Sequence, residues 1–300
     1  MNANPHDPVV VGIDGSGESK RAISYGAWEA RRLHVPLRLV LAYQPTAMWG
    51  PAILTPTDYV QRQPWVDEVL TKAEKQVAEE YPGLSVEAVT IDGIPAGILV
   101  DESRRASLVV VGTRATGGLA GHLHGSVAIQ VAAHSAAPVV AVRGGSVDDQ
   151  PVPVGAPVVV GLDGSDVSSD AMTFAVEQAV ARHVDVHAVF AWDVERVHNV
   201  GPLSPETFSV HEAQHTAERL LAEAVAGWSE HYPELTIMER PVFDSDPVNA
   251  LIGEAVGAGL IVVGSRGRGG FLGLRLGSTV DGLIRFAPAP VAVVPGRHIA

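Results

Sequence analysis

The sequence contains no cysteine, so disulfide frameworks and thiolate metal sites are excluded and thiols say nothing of its redox compartment. Basic residues are scarce: 21 Lys and Arg stand against 34 Asp and Glu, a formal net charge of -13. Attraction to a phosphate backbone then works in the wrong direction, and nucleic acids and anionic membrane surfaces are disfavoured as partners. No apolar run approaches the ~18 residues of a membrane span. The opening stretch MNANPHDPVVVGIDGS lacks a basic segment followed by a long apolar one, so a cytoplasmic protein is expected. Charged residues are only 18% of the chain and hydrophobic ones 46%, which suits a packed core and not a disordered polymer.

What is present is one unit written twice. The 300 residues are about right for two domains of roughly 150 residues each. VVVGIDGS at 9–16 is matched by VVVGLDGS at 158–165, and the correspondence runs to the far end of each half with a drift of three inserted residues. Ile23, Gly26, Ala27 and Ala30 fall at i, i+3, i+4, i+7, as do Met172, Ala175, Val176 and Ala179, which predicts an amphipathic helix in each half. Val66, Val69, Leu70, Ala73 and Val77 match Ala217, Leu220, Leu221, Ala224 and Trp228 and predict a second pair. SLVVVG and GLIVVG end at Gly112 and Gly264, and PVVAV (138–142) matches PVAVV (290–294). Short continuous apolar strands alternating with helices fit parallel strands covered on both faces. The fold class expected is therefore α/β: two tandem open parallel five-stranded α/β sandwiches, domains 1–146 and 155–300, joined by the Gly-, Pro- and Asp-containing connector RGGSVDDQPVPVGAP.

The repeated glycine loops carry the chemistry. VVGSRGRGGFLGLRLGS (262–278) and VVGTRATGGLAGHLHGS (110–126) share the spacing from first glycine to closing Gly-Ser and follow a strand, where parallel sheets gather ligands. Gly264, Gly267, Gly269 and Gly270 can take positive φ and turn backbone N–H groups toward an anion. Arg266 and Arg268 would complete the cage, and a helix starting near Gly277, Ser278 and Thr279 would add free N–H groups, its positive dipole end and hydroxyl donors. Phosphate is the expected guest. GIDGSGES is not a P-loop, because Glu18 stands where the lysine belongs, and the first strands end in Gly-x-Asp-Gly-Ser, not a dinucleotide fingerprint. Asp14 and Asp163, at the ends of those strands, either accept from a ribose hydroxyl or adenine amine or cap the following turn.

On these residues both halves resemble the universal stress protein family, and the whole chain its tandem, two-domain actinobacterial type. The resemblance implies a Rossmann-like fold akin to the adenine nucleotide alpha hydrolases, and ATP binding, marked by Gly, two residues, Gly, nine residues, then Gly-Ser or Gly-Thr. Gly264, Gly267, Gly277 and Ser278 satisfy this, with Ser265 inside the motif. In the first half Gly112, Thr113, Arg114, Gly118, Gly125 and Ser126 are the candidates, but Ala115 replaces the second glycine, Thr116 replaces Arg268 and His124 replaces Leu276, so a weaker first site is expected. By similarity Gly12, Asp14 and Val40, and Gly161, Asp163 and Val189, line the adenosine end.

The resemblance also implies that the halves pair as an intrachain pseudo-dimer through PVVAV and PVAVV, with homodimerisation a further option; ATP carries any Mg2+ on its phosphates. No carboxylate pair or Ser-His-Asp order recurs in both halves, so at most slow ATP hydrolysis is expected. The expectation is an ATP-dependent stress-response regulator; the alternatives are a nucleotide-handling enzyme (slow ATPase or adenylyl transfer) or a nucleotide-free scaffold. His211 and His215 have the i, i+4 spacing of a metal pair but lie opposite the apolar face, which reads as solvated surface. His122 and His124 either touch a phosphate or its metal or form an exposed tip. The stretches QPTAMWGPAILTPTDYVQRQP and WDVERVHNVGPLSPETF either cover the nucleotide or meet a partner.

Overall fold

A computed structural model describes residues 7–43, 63–113, 126–143, 155–195, 197, 210–267 and 276–296. The chain divides into two compact units, Met1–Pro151 and Val152–Ala300. In the first, the order is β1 (Val9–Ile13), α1 (Gly17–Leu33), β2 (Leu37–Tyr43), α2 (Gln63–Glu80), β3 (Val86–Asp92), α3 (Pro95–Glu102), β4 (Leu108–Thr113), α4 (Ser126–His134) and β5 (Val139–Arg143). The second runs β6 (Val158–Gly161), α5 (Asp166–Arg182), β7 (Val186–Trp192), α6 (Val210–Val225), the one-turn α7 (Trp228–His231), β8 (Ile237–Phe243), α8 (Pro247–Glu254), β9 (Leu260–Gly264), α9 (Ser278–Phe286) and β10 (Val291–Val294).

The strands lie in the order β3-β2-β1-β4-β5 in the first unit and β8-β7-β6-β9-β10 in the second. Every pairing within a unit is parallel, as the apolar runs predict. Val9, Val10 and Val11 are all fully buried, because both faces of β1 are covered. In the first unit α1 packs on β1, β4, β5 and α2, while α3 packs on β1, β2 and α4. From β1 the chain winds outward to β2 and β3, then crosses to β4 on the other side of β1. That reversal opens a crevice at the carboxyl ends of β1 and β4, and of β6 and β9 in the second unit, where ligands of such sheets bind.

The predicted helix faces are buried: Ile23, Ala27 and Ala30 in α1, and Met172, Ala175, Val176 and Ala179 in α5, each 3% exposed or less. Both helices are stopped alike, by His34 (φ 56°) and His183 (φ 55°) in the left-handed conformation. Each bonds its N–H back to the last turn, satisfying carbonyls that the helix end would otherwise orphan. The second amphipathic pair needs one correction. Trp228 does not continue the face of α6, because Gly227 takes φ 84° and breaks the helix after Val225; Ala213, Ala217, Leu221 and Val225 form the buried stripe. Among the described residues no helix is long and apolar enough to cross a membrane.

Candidate functional site

The crevice begins with the turn after the first strand. In the second unit the Asp163 carboxylate accepts from the Ser165 backbone N–H (3.0 Å) and from its hydroxyl (2.6 Å), both through Oδ1. Gly164 between them takes φ 74°. Ser165 then caps α5 by accepting from the Ser168 N–H at 3.2 Å. The first unit repeats this: Asp14 Oδ1 accepts from the Ser16 N–H at 2.9 Å, Gly15 takes φ 77°, and Ser16 accepts from the Ser19 N–H. Of the two roles open to these aspartates, the turn claims one oxygen of each. The carboxylate of Asp163 also faces the crevice, as its neighbours show.

A cleft of about 530 Å3 occupies the second crevice. It brings together Gly161, Asp163, Val189, Gly264, Arg266, Gly267, Gly277, Ser278 and Thr279, which come from the ends of β6, β7 and β9 and the start of α9. Its apolar wall consists of Leu162, Val189, Ala191, Val248, Leu251, Val263 and Val280. Its mouth carries the exposed Arg266.

The start of α9 is the chemically distinctive edge. The helix is preceded by Gly277, which has no side chain to cap it. The Gly277 N–H is taken by the Ser265 carbonyl at 3.1 Å, which fixes where the helix begins. The N–H groups of Ser278 and Thr279 have no partner within a helix that starts there, and both residues line the cleft. By contrast Ser165 caps α5, and Asp246 caps α8 by accepting from the Val248 N–H at 2.9 Å. An uncapped helix end opening into a cleft beside an arginine suits an anion.

Two expectations about the loops are corrected. Gly264 and Gly267 do not have positive φ. A Cβ on Gly264 would stand 2.7 Å from Val167 Cγ1 and 3.1 Å from the Val167 carbonyl oxygen, and one on Gly112 would stand 2.8 Å from the Glu18 carbonyl. These two glycines let the first turn of the capped helix cross the strand end. A Cβ on Gly267 would overlap Oδ2 of Asp163. Ser265 and Thr113, expected to line the site, are buried, 6% and 4% exposed. The Thr113 hydroxyl instead donates to the Val142 carbonyl and the Ser265 N–H to that of Val294.

In the first unit, Gly12, Asp14 and Gly112 stand at strand ends as in the second; Val40 is fully buried, and Ser126 opens α4. Arg114, Ala115, Thr116, Gly118, His122, His124 and Gly125 lie outside the described residues, as do Arg268, Gly269 and Gly270 and most of the two long stretches after β2 and β7. The sequence reasoning missed Asp246, Pro247 and Val248, which line the cleft at the start of α8. The Asp-Pro pair is a legible helix start, but it is not repeated: the matching cap position in the first half is Ile94, which makes no side-chain cap. His211 and His215 lie on α6 among its exposed residues.

Comparison with known proteins agrees with the geometry. The family model described as Universal stress protein family matches residues 5–143 and again 156–295. A universal stress protein of Mycolicibacterium smegmatis is 36% identical over 297 residues, covering 96% of this chain and 97% of the relative. Universal stress protein Rv2005c of Mycobacterium tuberculosis is 36% identical over 293 residues, covering 95% and 96%. The crystal structure of a universal stress protein from Archaeoglobus fulgidus shares the fold with a TM-score of 0.65 at 21% identity, covering 97% of this chain and 98% of that one. The chain belongs to the universal stress protein family and carries its domain twice.

Proposed function

We propose that the second unit binds ATP and that occupancy shifts the population of a conformation which other proteins recognise in a stress response. The observation that carries this reading is the uncapped start of α9, opening with Arg266 into a cleft whose other wall is apolar. A phosphate chain suits the Ser278 and Thr279 amides, and a base suits the slot between Val189, Ala191 and Leu251. The Asp163 carboxylate, which lines the cleft, suits a ribose hydroxyl or an amino group. The volume of about 530 Å3 lies within the range of roughly 300–1,000 Å3 typical of small-ligand sites. Mg2+ would arrive on the phosphates. The first unit shares the Asp-Gly-Ser turn and is read as a weaker copy of the same site.

The reading is of a binding module in which ATP is held and hydrolysed slowly at most. Calorimetric titration of ATP into the wild-type chain and into Gly277→Asp tests it. The expected result is a tight phase present in the first and lost in the second; an unchanged affinity in Gly277→Asp would remove α9 from the site. Turnover measured on the same preparations tests the second clause, and multiple rapid turnovers would replace the binding module with an enzyme.

A further inference from the structure

We propose that the first two turns of α6 form an open chelate for a borderline divalent cation such as Zn2+ or Ni2+, held by His211 and His215. The two Nε2 atoms are 3.1 Å apart, with the rings at 76° to each other. Two imidazole nitrogens each about 2.0–2.1 Å from one Zn2+ stand roughly 3–3.4 Å apart, so the spacing already suits one ion, and ligation needs the rings to turn until both lone pairs aim at it instead of at each other. On a helix, residues four apart share a face, which is why the rings converge.

A second observation points the same way. Nδ1 of His215 lies 3.3 Å from Glu218 Oε2. Glu218 is itself held, since Gln214 Nε2 donates to its other oxygen at 2.9 Å. A carboxylate beside Nδ1 favours the tautomer that carries its proton there and leaves Nε2 with its lone pair, and histidines that bind metals commonly have such a neighbour. In the metal-free pair one Nε2 donates its proton to the other; on ligation the metal takes that place and the displaced proton moves to Nδ1 of the same ring or to solvent. Among the described residues no group of three or more His, Cys, Asp or Glu side chains is placed to hold a metal, so water completes the coordination. Imidazole pairs favour Ni2+, Cu2+ and Zn2+ over Mg2+ and Ca2+, which prefer oxygen. The matching helix of the first half, Gln63–Glu80, contains no histidine, so the chelate belongs to the second unit alone. Its consequence is a staple across the first turns of α6.

The test is titration of NiCl2 or ZnCl2 into the full chain, followed by calorimetry and by thermal melting. Wild type is compared with His211→Ala/His215→Ala and with His215→Thr/Thr216→His. The second variant keeps the composition but moves the rings to different faces of the helix. The result expected is one metal equivalent present in wild type and missing from both variants, with a Zn2+-dependent rise in Tm that the variants lack. Glu218→Ala should weaken that equivalent about tenfold. Mg2+ at the same concentration should give no such equivalent. Equal stoichiometry in wild type and the double alanine variant, or retention of the equivalent by the variant with moved rings, would overturn the chelate. An equal response to Mg2+ would overturn its chemical class.

Discussion

The Asp163 carboxylate fills the space that a side chain on Gly267 would need, so that glycine is demanded by the carboxylate and not by backbone handedness. Gly267→Ala should push Asp163 aside and weaken ATP binding by about tenfold or more, ~1.4 kcal/mol. Its melting temperature should change little, because the residue is exposed. In the first half the repeat aligns Ala115 with Gly267, so a weaker site is expected there. Calorimetry of the wild type should therefore resolve a tight and a weak phase, and Ala115→Gly should strengthen the weak one. Two equal phases in the wild type would contradict this.

Gly277→Asp should separate stability from binding. Gly277 has φ -75° and ψ 150°, the nearest atom a Cβ would meet is 3.9 Å away, and aspartate is among the best caps. The substitution should stabilise α9 by about 0.3–1 kcal/mol while its carboxylate takes the amides that phosphate needs. Differential scanning calorimetry should show Tm unchanged or raised as ATP affinity disappears. A fall in both would mean that the variant merely damages the fold.

Asp163→Asn should leave the turn intact, since the amide oxygen can accept from Ser165 as Oδ1 does. The charged acceptor facing the cleft is lost. A hydrogen bond to a charged group is worth about 1.5–3 kcal/mol, so ATP affinity should fall by at least about tenfold with circular dichroism unchanged. Full affinity in this variant would confine Asp163 to its turn.

Gly26→Ala tests the packing of α1. Alanine gains about 1 kcal/mol of helix propensity, but its Cβ would overlap Val11 on β1, and overpacking costs about 1–3 kcal/mol. Chemical denaturation should show a net loss, and Val11→Ala should rescue it. In the second unit the matching residue is Ala175, fully buried in α5.

The strands and the helix faces were legible because their apolar periodicity is local; the strand order, which a parallel sheet with helices on both faces leaves open, is seen only in the fold. The turns at Asp14 and Asp163 were half legible, since a short carboxylate after a strand serves a cap and a ligand with the same atoms. What the sequence hid was contact between distant segments. That Gly112 is glycine because Glu18 crosses it, or Gly267 because of Asp163, depends on backbones brought together only by the fold. Asp246 was hidden differently, because Ile94 in the other half disguised a feature confined to the second unit.

The bare start of α9 has a consequence for energetics. Val280, Leu283 and Ile284 anchor that helix in the core, yet no side chain among the described residues caps its first amides. An anion bound there would act as the missing cap, so ligand concentration would set how often the first turn frays. The amides of Ser278 and Thr279 would exchange with deuterated solvent quickly without ligand and slowly with it, and the unit would in this way convert a ligand level into local order.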